Sequence, residues 1–143
     1  MNRADIPVGT SDFAEIRMQD YYFVDKSELI EELLKTKATK VTLITRPRRF
    51  GKTLAMRMLS EFFDIRKDSR CLFSGLNISA NRKLCEQWMN QYPTLWITFK
   101  DVGGNTFDSA WGMLKTAVSN VCVEHAYLLN SEQADSDDRE RFA

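Results

Sequence analysis

Hydrophobic residues return along this chain in two rhythms. Between Glu28 and Lys35, Leu29, Ile30, Leu33 and Leu34 recur at helical spacing, with Glu31, Glu32 and Lys35 opposite them. That period lays an apolar stripe along a helix. Asp25, with Glu28 three residues on, has the form of a capping box, so this helix is predicted to start at Asp25 and to fade over 36–39. Leu54, Met58, Leu59, Phe62 and Phe63 predict a helix over 52–65, and Leu84 and Trp88 predict one over 80–91 that Pro93 ends. Phe107, Trp111, Leu114, Val118, Val121 and Cys122 predict a long helix over 106–130 with Thr106 as its cap. The second rhythm is continuous. Runs 40–45 and 94–99 are rich in β-branched and aromatic residues, and each predicts a short buried strand. Between the elements, Leu72, Phe73 and Leu76 are expected to pack, Gly75 and 103–105 to turn, and the tail from Ser131 to be solvated.

Composition narrows the class. The chain has 143 residues, 43% hydrophobic and 28% charged, with 20 Lys plus Arg against 20 Asp plus Glu. Those values suit one globular domain and exclude an extended disordered chain. Zero net charge weakens a reading as a dedicated nucleic-acid binder, which carries a basic excess. No apolar run approaches the roughly 20 residues that span a bilayer, so no membrane partner is expected. Residues 1–7 do not have the pattern of a secretory leader. Cys71, Cys85 and Cys122 are spaced for neither a compact zinc site nor a disulfide scaffold. Three reduced thiols and a cytoplasmic location are the expectation.

Candidate chemistry concentrates in one segment, Thr45-Arg46-Pro47-Arg48-Arg49-Phe50-Gly51-Lys52-Thr53. It follows a predicted strand, ends in Gly-Lys-Thr and opens a predicted helix, which is the context of a phosphate-binding loop. A helix N-terminus offers unpaired N–H donors and a positive dipole end to an anion. Gly51 allows close backbone approach, Lys52 supplies an ammonium for phosphates, and Thr53 a hydroxyl for Mg²⁺. The general pattern asks for a glycine where Arg46 stands. Arg46, Arg48, Arg49, Lys52 and Arg57 crowd together without an acid among them, a density that a bare strand-to-helix turn does not need. Such a basic loop also suits a nucleic-acid backbone or a partner protein, so a non-enzymatic interaction module is the alternative.

The segment resembles the N-terminal part of the AAA-ATPase-like family of bacterial P-loop ATPases. Beyond the loop, the resemblance is carried by Ile6-Pro7-Val8-Gly9, Asp12-Phe13, Tyr21-Tyr22-Phe23-Val24-Asp25-Lys26-Ser27, Phe62-Phe63-Asp64, Leu72-Phe73-Ser74-Gly75-Leu76 and the run from Tyr92 to Val102. In that family an arginine at the Arg46 position is usual. The resemblance implies an α/β fold, a P-loop NTPase-like parallel sheet with flanking helices, present here as an incomplete N-terminal portion. It implies ATP and Mg²⁺ as ligands, with Arg46, Arg48, Arg49, Phe50, Gly51, Lys52, Thr53 and Leu54 as the binding positions and Thr53 on the metal. Members often carry a C-terminal nuclease-like domain that would meet nucleic acid, and no such domain is found here. The expected division is an N-terminal segment and helix over 1–39, a two-stranded loop core over 40–130 and a polar tail over 131–143.

Hydrolysis needs an acid at the end of a second strand. Asp101 is the one candidate, and two points count against it. Lys100 intervenes, and the resemblance places the acidic strand after a further crossover helix. An ATPase is thus implied by resemblance alone, with catalytic residues unassigned and turnover by this chain in doubt. Two strands also make a marginal sheet. Tyr21, Tyr22 and Phe23 are read first as core, with stacking on an adenine ring as the alternative. Trp88, Trp96 and Trp111 are read as core, His125 as structural or surface, and Asp135, Asp137 and Asp138 as a solvated face.

Overall fold

The computed structural model describes residues 5–35, 40–132 and 135–142. Its elements are α1 (Phe13–Met18), α2 (Glu28–Lys35), α3 (Lys52–Phe63), α4 (Arg70–Phe73), a 3₁₀ turn (Asn77–Ala80), α5 (Arg82–Trp88), α6 (Phe107–Glu124), a second 3₁₀ turn (Ala126–Asn130) and α7 (Ser136–Phe142). They divide into two compact units, Met1–Thr94 and Leu95–Ala143. The predicted fade of α2 over 36–39 lies outside the described residues.

The core lies in the first unit. Phe13, Ile30, Met58, Phe62, Leu72, Phe73, Leu76 and Ile78 form one buried cluster. Helical spacing puts Met58 and Phe62 one turn apart on α3, and both are buried. Phe73 meets Phe13 at 5.0 Å and takes Phe62 edge-on at 5.2 Å. Leu72, Phe73 and Leu76 pack as expected, and Gly75 turns the chain at φ +78°. Trp88 lies partly buried against the cluster and stacks on Tyr92 at 5.0 Å.

The expected parallel sheet is contradicted. The described residues contain no strand, and their one β-bridge is an isolated parallel contact between Asp64 and Tyr92. The architecture is helical. Runs 41–45 and 94–99 lack strand pairing, with Val41 and Leu43 each 83% exposed and Leu95 61% exposed. The physical reason is a missing neighbour. β-branched residues favour an extended backbone, but a strand's N–H and C=O groups are satisfied only by an adjacent strand. A local pattern sets the first condition and cannot supply the second.

Two further expectations change. Asp25 does not cap α2. Its carboxylate accepts from the Ser27 backbone N–H at 2.8 Å and from that of Asn77 at 2.7 Å, and the helix begins at Glu28. The helix predicted over 106–130 is two elements. Thr106 Oγ1 accepts from the Ser109 N–H as expected, but α6 ends at Glu124 and a 3₁₀ turn follows. No residue of α6 is buried, so its apolar stripe is open, and Trp111 is stacked on Phe107 rather than set in a core. His125, just past α6, is fully buried and has no hydrogen-bond partner for either ring nitrogen among the described residues.

Candidate functional site

The link from run 40–45 into α3 is a tight turn made by two left-handed residues. Arg49 has φ +69° and Gly51 φ +73°. For an L residue with a side chain this conformation costs about 1–2 kcal/mol. Arg49 carries that cost, and Gly51 avoids it by having no Cβ. The turn brings the carbonyls of the loop back over the start of α3. Lys52 Nζ donates to the Arg46 carbonyl at 2.6 Å and to the Pro47 carbonyl at 2.9 Å. The loop is thus wound around its own ammonium.

The first turn of α3 is set up for an anion. Gly51 is its N-cap and offers no side-chain cap, and no acidic residue lies in that turn. Its leading N–H groups point out of the helix with the positive end of the dipole behind them. A Cβ built on Gly51 meets nothing within 4 Å, so the approach is open. Thr53, second in the helix, is exposed. Arg46, Arg48 and Arg49 are exposed and form no ion pair among the described residues. This donor set fits a polyphosphate with a bound cation. Ammonium, backbone N–H groups and guanidinium supply positive charge, and the Thr53 hydroxyl supplies a neutral oxygen.

A cavity of about 420 Å³ opens beside the loop. Gly51, Leu54, Ala55 and Met58 give it one wall, a stripe at helical spacing on α3. Pro7, Tyr22, Phe23 and Lys26 of the N-terminal segment line it as well. Arg49 and Phe50 complete the loop side, and no carboxylate lines the space. The Tyr22 N–H donates to the Asp5 carbonyl at 2.9 Å, which ties the N-terminal residues across. The aromatic triplet splits by role. Phe23 leans edge-on against Phe13 at 5.5 Å and belongs with the core, while Tyr22 is 57% exposed on the cavity.

The sequence-derived loop residues therefore stand together on one turn and one helix start. Phe50, Gly51, Leu54 and Arg49 also line the cavity, whereas Lys52 is turned into the loop. Asp101 belongs to the other compact unit, where it is exposed on a separate cavity of about 660 Å³ with Trp96, Asp108 and Met113. Lys26, which does not stand among the loop residues expected from the sequence, also lines the cavity. No group of three or more His, Cys, Asp or Glu able to hold a metal occurs among the described residues. No described helix is long and apolar enough to cross a membrane.

A protein of Azotobacter chroococcum mcd 1, described as an uncharacterized protein in the vnfD 5′ region, is 37% identical over 100 residues. That stretch is 69% of this chain and 18% of the relative's length. No solved structure matches. The family model described as Predicted AAA-ATPase matches residues 7–143, a span that takes in the N-terminal segment, the loop and α3 together. On that match the chain belongs to the predicted AAA-ATPase family.

Proposed function

We propose that this chain is a Mg-ATP-binding module of an AAA-ATPase-like protein, with loop 46–53 as the phosphate cradle. The observation that carries the reading is the pair of hydrogen bonds from Lys52 Nζ to the Arg46 and Pro47 carbonyls at the mouth of an uncapped helix. Phosphate oxygens are stronger acceptors for an ammonium than carbonyls are, so a triphosphate competes well for Lys52. Backbone N–H groups at the start of α3 add to its hold. Thr53 is the residue for Mg²⁺, which in turn screens the phosphates. The cavity beside Gly51 takes the base, with Tyr22 as a stacking face. Family membership supports nucleotide use. The proposal is binding: the cavity has no carboxylate, and no residue is assigned to hydrolysis.

Titration of the folded chain with a fluorescent ATP analogue and Mg²⁺ tests this. Wild type should bind, and Lys52→Ala should weaken binding by at least tenfold with its unfolding midpoint unchanged. No binding by folded wild type would sink the reading. The exposed Arg46, Arg48 and Arg49 favour one second reading, contact with a nucleic-acid backbone. Salt separates the two. Nucleic-acid affinity falls steeply with salt and ignores Mg-ATP, whereas nucleotide binding requires Mg²⁺ and Lys52.

A further inference from the structure

We infer that Lys26 is a second phosphate-binding cation of the site, a role that rests on the nucleotide reading above and brings the N-terminal segment into it. The backbone on both sides of Lys26 is clamped. Asp25 accepts from the N–H groups of Ser27 and Asn77. Ser27 is fully buried, and its hydroxyl accepts from the Ile78 N–H at 3.1 Å. Both neighbours of Lys26 are thus fastened to the 3₁₀ turn Asn77–Ala80, and that turn belongs to the buried core through Ile78. A lysine serving only to keep a surface wet needs no such fixture. Lys26 is nonetheless exposed, and it lines the cavity that Gly51 and Arg49 line from the loop side.

Charge points the same way. Lys26 forms no ion pair among the described residues, and its cavity has no carboxylate. Adjacent Asp25 is not its partner. Burial raises the Asp25 pKa, but hydrogen bonds from Asn77 and Ser27, with the charge of Arg17, outweigh it and leave it lowered. Lys26 and Arg49 are therefore two cations lining one cavity, one from the N-terminal segment and one from the loop, with no acid in its lining. Two like charges in one space repel unless an anion joins them. That anion would be the near end of the phosphate chain of a nucleotide whose base lies in the same cavity against Tyr22 and whose far phosphates reach Lys52.

The test is affinity for the fluorescent ATP analogue, in Mg²⁺, for wild type, Lys26→Gln, Lys26→Arg and Lys52→Ala. Lys26→Gln should weaken binding about tenfold and flatten its dependence on salt, with the thermal midpoint unchanged. Lys26→Arg should restore affinity to within about threefold of wild type. Lys26→Gln binding within twofold of wild type, while Lys52→Ala loses binding, overturns this role and leaves the loop reading standing. Equal losses in Lys26→Gln and Lys26→Arg also overturn it, because they mark a role in shape rather than charge. No binding by wild type overturns both readings.

Discussion

At the scale of single residues, two positions carry the clearest consequences. Gly51 sits at φ +73° in open space, so a methyl group there meets no neighbour but must adopt a left-handed backbone. Gly51→Ala should cost about 1 kcal/mol in urea unfolding. It should also weaken ATP-analogue binding, because relaxing φ moves the Lys52 N–H. Unchanged stability would mean the turn is not held as described. Asp64 is the second. It is fully buried, and Arg66 grips it with hydrogen bonds of 2.9 and 2.6 Å. Burial raises its pKa, but the Arg66 side chain and N–H and the charge of Lys67 together lower it below the ordinary carboxylate value. A depressed folded pKa stabilises above the unfolded value of about 4 and is lost as pH falls through the folded value. Wild type should thus lose more stability between about pH 5 and about pH 2 than Asp64→Asn does, measured by urea unfolding, these limits being about one unit above and about two units below the unfolded value. Parallel curves for the two proteins would count against it. The turn at Gly51 and the helix start at Lys52 were legible from sequence because a glycine ahead of a helical pattern acts within a residue or two of itself. Lys26 was not, because its meaning depends on Asn77 and Ile78, some 50 residues away.

Elements were legible in proportion to how local their causes are. α3 begins at the Lys52 expected from the loop, and its apolar positions do reach the core. α5 and the Thr106 cap of α6 follow the same logic, since spacing and capping act within a turn or two. The two strands failed because pairing is a property of two segments. α6 marks another limit, where an apolar stripe predicted a buried face and the face is open. A helix is held mainly by what its stripe packs against. α3 has Met58 and Phe62 in the core, and α6 has no buried residue. Amide hydrogen exchange should therefore be slowest in the middle of α3 and at least tenfold faster along α6, a difference of about 1.4 kcal/mol in opening free energy. Equal protection of the two helices would show that α6 is covered in solution.

At the scale of the whole molecule, charge is balanced but unevenly placed. Five cations crowd 46–57, three in the loop and two on α3, and that stretch shares its compact unit with the buried apolar cluster. Cleavage by a protease needs several residues of exposed backbone free of secondary structure. Among the zones of the described residues that meet that need and carry trypsin sites, two are informative because they lie one in each compact unit. One is the loop, with Arg48 and Arg49 exposed in an unpaired stretch. The other is Lys100, exposed at the end of the unpaired run 94–99. Limited trypsin digestion should cut in each of these two zones before any cut inside α3, although α3 contains Arg57. Mg-ATP, held by the loop, should slow the first zone severalfold and leave cleavage at Lys100 unchanged, because Lys100 belongs to the unit that holds neither the loop nor its cavity. Mass spectrometry of the early fragments reads both zones at once. Protection at Lys100 equal to that at Arg49 would mean that nucleotide orders the chain as a whole, and protection at neither would remove the loop from the binding site.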